Sequence, residues 1–209
     1  MFVADTINFR EIVMKEALPL ATIQNAVIDF LRGRDDVVLF GAQAVNVYVN
    51  EPRATQDVDL MSTRAADLAE ELASQLSRRF HVSIASKKNK LGNSHRLLQL
   101  RDNETRNLVD VRSVETLPEA LRIENVLVAS PVELIASKVI SHHRRRGRPK
   151  SWTDWRDLTL LLLTFPELKC DPGPVTESLN AANVDQNVLT IWRELVAQEI
   201  LPQTDEDDF

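Results

Sequence analysis

Two acidic residues separated by one position are the strongest chemical signal in this chain. Asp57 and Asp59 alternate with the apolar Val58 and Leu60, a pattern typical of a strand buried on one face. Side chains two positions apart in a strand point to the same face, so the two carboxylates lie side by side. Like charges this close repel unless a cation lies between them. The pattern predicts a divalent metal site at a sheet edge or cleft.

A third acidic residue extends the predicted metal site. Asp110 lies among apolar residues in a strand-like segment, between Arg106 and Arg112. Two or three carboxylates suffice for Mg²⁺ or Mn²⁺, because such ions keep water or substrate phosphates in their other positions. Asp57, Asp59 and Asp110 are therefore the candidate catalytic residues and metal ligands. The residue types leave an alternative open, since all three could be ordinary surface acids and Asp110 could form a cross-strand ion pair.

A turn of small residues precedes the acidic strand. The apolar run Val37–Phe40 is followed by Gly41 and Ala42 and then by a helical pattern. Backbone N–H groups at the start of a helix bind phosphate, so Gly41 and Ala42 are a candidate phosphate site. An ordinary strand-to-helix turn requires the same flexible glycine, and both interpretations stay open.

The order of these motifs resembles the DNA polymerase β-like nucleotidyltransferase superfamily. There a small-residue turn and a helix precede an Asp-x-Asp strand, and a single strand Asp follows. Within it, Arg53-x-Thr55-x-Asp57-x-Asp59-Leu60 resembles the signature of the AbiEii/AbiGii toxin-type nucleotidyltransferases. The turn in that family usually reads Gly-Gly or Gly-Ser. With Ala42 in this place, a phosphate contact depends on backbone N–H groups alone.

The resemblance continues into the second half of the chain. In that family a helix lysine is followed by a basic segment and an Asp-x-x-Asp-Leu motif, which correspond here to Lys138, Asp154 and Asp157. The resemblance implies that these residues bind the nucleotide, together with Arg53 and Thr55. Without the resemblance, the same residue types also fit a solvated lysine, acids that complement a helix dipole, and polar loop residues.

The most basic segment of the chain lies between these two motifs. Its cationic residues are Arg144, Arg145, Arg146, Arg148 and Lys150. Such a segment is usually a solvated loop, but its place between Lys138 and Asp154 also suits a triphosphate or an RNA backbone. The neighbouring His142 and His143 lack the partners and spacing of a metal site, so we expect them to be loop residues.

Composition limits the classes of function. Of 209 residues, 44% are hydrophobic and 27% are charged, which is typical of a globular protein with a core of domain size. The net charge of −6 argues against a general nucleic-acid coat but allows a local basic patch. The single cysteine, Cys170, forms no internal disulfide, and nothing resembles a zinc site. The N-terminal residues lack signal-peptide features and no apolar run spans a membrane, so we expect a cytoplasmic protein.

The apolar periodicity predicts the arrangement of elements. We expect an α+β fold in residues 1–128, with helices packed on a mixed sheet, followed by an α-helical domain in residues 129–209. Ser130 to Glu133 has the pattern of a capping box at the start of this second region. The expected helices cover residues 20–33, 68–76, 152–165, 175–182 and 188–200. The expected strands include 80–84, 95–100, 106–111 and 121–128, with a turn at 102–104 and a frayed acidic tail at 204–209.

Together with the resemblance, these residues predict a nucleotidyl transfer. A nucleoside monophosphate would pass from an NTP to an acceptor hydroxyl, and pyrophosphate would leave. The toxin-type relatives are associated with RNA, especially tRNA ends, and with antitoxins, so the resemblance implies an RNA acceptor and an antitoxin partner. Two alternatives stay open: a protein or an aminoglycoside-like molecule as the acceptor, and a non-catalytic module of the same fold that binds nucleotide or RNA.

Overall fold

The structure of the protein, a computed structural model, describes residues 20–100 and 105–202. This part of the chain contains seven strands, seven α-helices and one short 3₁₀ helix, Pro166–Leu168. The strands are β1 (Val37–Phe40), β2 (Val58–Ser62), β3 (Ile84–Lys88), β4 (Ser94–Leu100), β5 (Thr105–Ser113), β6 (Ala120–Ile123) and β7 (Val126–Ala129). The helices are α1 (Leu20–Leu31), α2 (Gly41–Tyr48), α3 (Ala65–Phe80), α4 (Pro131–Arg144), α5 (Pro149–Thr164), α6 (Pro174–Ala181) and α7 (Gln186–Ala197).

The strands form one mixed sheet in the order β3-β4-β5-β2-β1-β7-β6. β2 is antiparallel to β1 and parallel to β5. In this register Asp59 pairs with Phe40 on one side and with Asp110 on the other. The predicted mixed sheet with packed helices is confirmed. It places the acidic strand between the strand that leads into Gly41 and the strand that carries the third acid.

Amphipathic helices pack on this sheet. α3 buries Leu68, Leu72 and Leu76 at helical spacing and contacts β2 to β5, while α1 contacts both α3 and β7. α3 is followed by His81, whose φ of 54° is the left-handed conformation common after a helix C-terminus. These contacts bury apolar side chains of the strands that carry Asp59 and Asp110.

The remaining helices gather around α4, which contacts α2, α5, α6 and α7. The Ser130 Oγ accepts a hydrogen bond from the Glu133 backbone N–H at 3.3 Å, so the N-cap half of the predicted capping box is confirmed. The reciprocal half is not formed, because the Ser130 N–H donates to the Glu119 carbonyl oxygen. The Glu133 carboxylate accepts a hydrogen bond from Ser178 of α6. Strands give way to helices after Ala129, but α2 packs on α4 and α5. The division into domains 1–128 and 129–209 stays a prediction.

Two predicted strands were wrong in part. Phe80 ends α3, and the next strand begins only at Ile84. The segment 121–128 is a hairpin and not one strand, because Glu124 and Asn125 have positive φ angles of 46° and 66°. Two consecutive positive φ angles form the tight turn that joins antiparallel strands, and Asn tolerates this conformation better than most residues.

The two histidines predicted in a loop lie in the last turn of α4. His142 is held there by Ser151, whose Oγ lies 2.9 Å from its Nδ1, and by the ring of Trp155. Contacts of His142 with α5 therefore stabilise this last turn of α4, which also contains His143. The predicted turn at 102–104, the acidic tail and the N-terminal segment lie outside the described residues. Within those residues, none of the helices is long and apolar enough to cross a membrane.

Candidate active site

The turn at Gly41 and the acidic strand are in direct contact. α2 begins at Gly41, immediately after β1, with a φ of +68°. A Cβ atom at this position would lie 2.7 Å from both Cβ and Cγ of Asp59. Residues other than glycine rarely adopt this backbone conformation, and no side chain fits between Gly41 and Asp59. The position therefore requires glycine for two independent reasons. The first N–H groups of α2 therefore lie beside an acidic side chain.

Side chains of α2 hold the loop that leads into β2. Asn46 donates from Nδ2 to the Arg53 carbonyl oxygen at 2.8 Å and accepts from the Arg53 backbone N–H at 3.1 Å. Gln43 donates to the Thr55 hydroxyl at 2.9 Å. Arg53 and Thr55, both predicted to bind nucleotide, are thus fixed by α2. The polar spacing of Gln43 and Asn46 on one helix face was the available sequence signal for this role.

The acidic residues are close enough to affect each other's charge. Asp57 immediately precedes β2, and Asp59 and Asp110 are register neighbours on parallel strands. Burial, followed by the charges of Asp57 and Asp110, raises the pKa of Asp59 to about 6. The structure thus concentrates negative charge where the sequence predicts a cation.

Asp110 also has a cationic partner. Its Oδ2 lies 3.1 Å from Arg96 Nε, on the register neighbour in β4. The cross-strand pair that the sequence left open is therefore formed, with Arg96 and not with Arg106 or Arg112. Within residues 20–100 and 105–202, no group of three or more His, Cys, Asp or Glu side chains is arranged so that it could hold a metal ion. The metal site stays a prediction.

Four of the predicted nucleotide-binding residues meet in a buried ion-pair network. Lys138 Nζ lies 2.7 Å from Asp157 Oδ2 and 3.4 Å from Asp154 Oδ1. Arg53 donates to both Asp157 oxygens, at 2.7 and 2.9 Å. Arg145, predicted as part of the basic segment, pairs with Asp154 at 2.6 Å. The network joins the loop before β2 to α4 and α5.

The charges of this network do not cancel. Asp154 and Asp157 are only 2% and 1% exposed. Burial acts to raise the pKa of Asp157, but hydrogen bonds from Arg53 and the charge of Lys138 hold it below its ordinary value. Two carboxylates thus face three cationic side chains, including Arg145. One positive charge remains in excess.

One cleft of about 1050 Å³ adjoins these features. It lies between the acidic strand and α4 to α7, and its volume is at the upper end of ligand sites. Asp110, Asp157, Arg146 and Arg148 are not among its lining residues. The predicted residues that line it are Gly41, Ala42, Arg53, Thr55, Asp57, Asp59, Lys138, Arg144, Arg145, Lys150 and Asp154.

The fold defines a structural class, that of the polymerase β-like nucleotidyltransferases. The polyadenylate synthase of Megavirus superposes with a TM-score of 0.59 at 13% identity, over 74% of this chain and 33% of that protein. JHP933 from Helicobacter pylori superposes with a TM-score of 0.51 at 13% identity, over 85% and 88% of the two chains. At such identities the likeness shows the fold alone, and this chain spans about a third of the Megavirus protein. The predicted fold is confirmed.

The sequence identifies the family within this class. The family model described as nucleotidyl transferase AbiEii toxin, type IV TA system, matches residues 26–207. Because the match covers most of the chain, the protein belongs to this family of nucleotidyltransferases. The resemblance and the transferase class predicted from the motifs are confirmed. No curated protein sequence matches the chain.

The contact between Gly41 and Asp59 predicts a large loss of stability in Gly41→Ala. Gly147 has a similar φ of +79° with no atom within 4 Å of an added Cβ, so Gly147→Ala is a matched control for backbone strain alone. We expect roughly 1–2 kcal/mol from the backbone in both variants and about 1–3 kcal/mol more in Gly41→Ala. Urea denaturation measures both. Equal losses in the two variants would show that the Asp59 contact is unimportant.

The raised pKa of Asp59 predicts that Asp59→Asn stabilises the metal-free protein at neutral pH. The folded protein holds this proton more tightly than the unfolded chain, so stability falls as the pH rises from about 4 to about 6. Asn carries no charge, so we expect a gain of roughly 2 kcal/mol at pH 7.5 and much less at pH 4.5. Denaturation in EDTA at both pH values tests this, with the exposed Glu70→Gln of α3 as control. An equal gain at both values would contradict it.

Proposed function

We propose that the protein transfers a nucleoside monophosphate from an NTP to an RNA hydroxyl, with tRNA as the preferred acceptor. The contact between Gly41 and Asp59 carries the proposal, because it brings backbone N–H donors and a carboxylate together in one cleft. Membership in a nucleotidyltransferase family supports the reaction type.

The acidic side chains fit a hard divalent cation by their chemistry. Asp57, Asp59 and Asp110 offer only oxygen donors, and the pKa of Asp59 is raised by burial and by the other two charges. We expect Asp57 and Asp59, with Asp110, to hold Mg²⁺ or Mn²⁺. Such a cation neutralises the triphosphate and lowers the pKa of the acceptor hydroxyl.

Backbone and cationic groups of the chain bind the phosphates. The N–H groups of Gly41 and Ala42 point from the start of α2, where the helix dipole favours an anion. The excess positive charge of the ion-pair network, carried by Lys138 and two arginines, stabilises the charge that develops on the leaving pyrophosphate. Asp154 and Asp157 act by fixing these cations in place.

A basic surface supports an RNA acceptor. We define it by the exposed residues Arg144, Arg146, Arg148 and Lys150, which form no ion pair within the described ranges. Arg144 and Lys150 also line the cleft, so the surface is continuous with the acidic strand. Trp152 lies next to it in α5 and is 74% exposed, which suits stacking on an unpaired base. Unpaired cations in an acidic chain favour a polyanion over a neutral acceptor.

The family suggests a protein partner as well. Its description as the toxin of a type IV TA system supports an antitoxin for this chain. NTPs and tRNA are substrates of the cytoplasm, so a cytoplasmic location belongs to the same proposal.

The decisive experiment incubates the protein with Mg²⁺ and each α-labelled NTP. Separate reactions contain tRNA, total cellular protein or an aminoglycoside as the acceptor. We expect label in tRNA. Asp59→Asn should lower the rate at least about a hundredfold, because several kcal/mol of transition-state stabilisation depend on the acidic strand. The exposed Glu70→Gln should keep the wild-type rate.

Other outcomes are equally informative. Label in protein or in the aminoglycoside would replace the RNA acceptor while keeping the transfer reaction. NTP binding with no label in any pool would favour a non-catalytic module. A rate that Asp59→Asn leaves unchanged would remove the acidic strand from the reaction.

The basic surface predicts a salt-dependent RNA affinity. Each arginine that neutralises a phosphate releases counterions, so Arg144→Ala, Arg146→Ala and Arg148→Ala together should weaken tRNA binding and reduce the slope of log K against log[salt] by about three in all. Arg145 is left intact because it pairs with buried Asp154. A triple Ala variant of the exposed Lys87, Lys88 and Lys90 is the matched control. An equal effect of both triple variants would mean that net charge alone matters.

A further inference from the structure

Asn107 contacts the acidic strand although no motif pointed to it. Its Nδ2 donates to Asp57 Oδ2 at 3.0 Å, from β5 to the residue that precedes β2. Asp57 carries two carboxylate oxygens, and this bond fixes one of them. The hydrogen bond therefore restricts the rotation of the side chain that the transfer reaction requires.

A β-bulge brings Asn107 to this position. Leu97 of β4 pairs with Val109, but the next residue, Leu98, pairs with Asn107, so Leu108 is an extra residue in β5. In a regular strand, residues 107 and 110 would point to opposite faces. Because of the extra residue, Asn107 lies on the same face of the strand as Asp110.

The burial of β5 agrees with this geometry. The consecutive residues Leu108 and Val109 are both buried, at 1% and 0% exposure, which regular alternation does not give on a half-exposed strand. Bulges that re-aim one side chain are frequent beside active sites. The bulge thus allows the hydrogen bond between Asn107 and Asp57 to form.

Asn107 also carries an unused acceptor. Its Oδ1 is buried and has no hydrogen-bond partner within the described residues. An unsatisfied buried acceptor costs about 1–3 kcal/mol, so a folded protein retains few of them without a use. Asn107 is not among the residues that line the cleft, so the inference rests on the hydrogen bond from its Nδ2.

We propose that Asn107 is a positioning residue of the transfer site, which holds Asp57 Oδ2 so that Asp57 Oδ1 stays free for a divalent cation. This inference rests on the proposed function. It adds a residue outside the Asp-x-Asp motif whose role is to orient one ligand. The groups that orient a metal ligand typically change metal affinity or activity by about 10- to 100-fold when removed.

The test measures the binding of Mn²⁺ alone, without NTP, and then kcat and KM for NTP with tRNA. Asn107→Leu has a similar size and no donor, and should weaken Mn²⁺ binding about tenfold and lower kcat about tenfold, with KM within about twofold. Asn107→Gln keeps the N–H donor and should recover part of both losses. Gln99→Leu is the matched control, because Gln99 in β4 is also buried and its Oε1 also has no partner among the described residues, but Gln99 forms no hydrogen bond with Asp57 there.

The outcomes separate this inference from the proposed function. If Asn107→Leu lowers only the melting temperature and keeps Mn²⁺ affinity and kcat, Asn107 has a structural role and the inference is wrong. Failure of the wild-type protein to bind Mn²⁺ would also overturn it. If Mn²⁺ binding falls as expected but no NTP labels any acceptor, the positioning role stands and the proposed transfer reaction fails.

Discussion

The close approach of Gly41 to Asp59 is the constraint on which the site depends. β1 and β2 are antiparallel neighbours with Phe40 opposite Asp59, and the chain enters α2 directly after Phe40. The start of the helix must therefore lie on the acidic side chain. Only a residue without Cβ permits this, since even one added carbon atom would overlap with Asp59. Glycine at this position thus allows a helix N-terminus, which favours anions, to lie against a carboxylate, which favours cations.

The ion-pair network extends this arrangement to the opposite wall of the cleft. Arg53 and Asp157 are 104 positions apart, and Lys138 joins them from α4. Desolvation offsets most of the attraction in a buried ion pair, so the network adds little to overall stability. Loss of one partner leaves an uncompensated buried charge and costs about 3–5 kcal/mol. The network thus links the loop before β2 to α4 and α5.

Several groups at the site oppose folding in the metal-free protein. Asp59 is charged at neutral pH despite its burial and two nearby carboxylates, and the buried Oδ1 of Asn107 has no hydrogen-bond donor among the described residues. The bulge at Leu108 interrupts the ladder between β4 and β5. Such features persist when the surrounding packing outweighs their cost, and here almost all residues of β1 and β2 are buried. A bound cation would offset the negative charge of Asp59 and its neighbours.

The sequence by itself determined the local features: the alternation around Asp57 and Asp59, the cap at Ser130 and the amphipathic helices, because each depends on neighbouring residues. The hairpin turn at Glu124 and Asn125 escaped prediction, since positive φ at residues other than glycine leaves a weak signal. The order of the motifs was sufficient to predict the family and the fold. Only the tertiary structure decided that Arg53, Lys138, Asp154 and Asp157 form one ion-pair network, and that Asn107 reaches Asp57. These contacts depend on helix packing and on a one-residue change of strand register, and no local pattern encodes either.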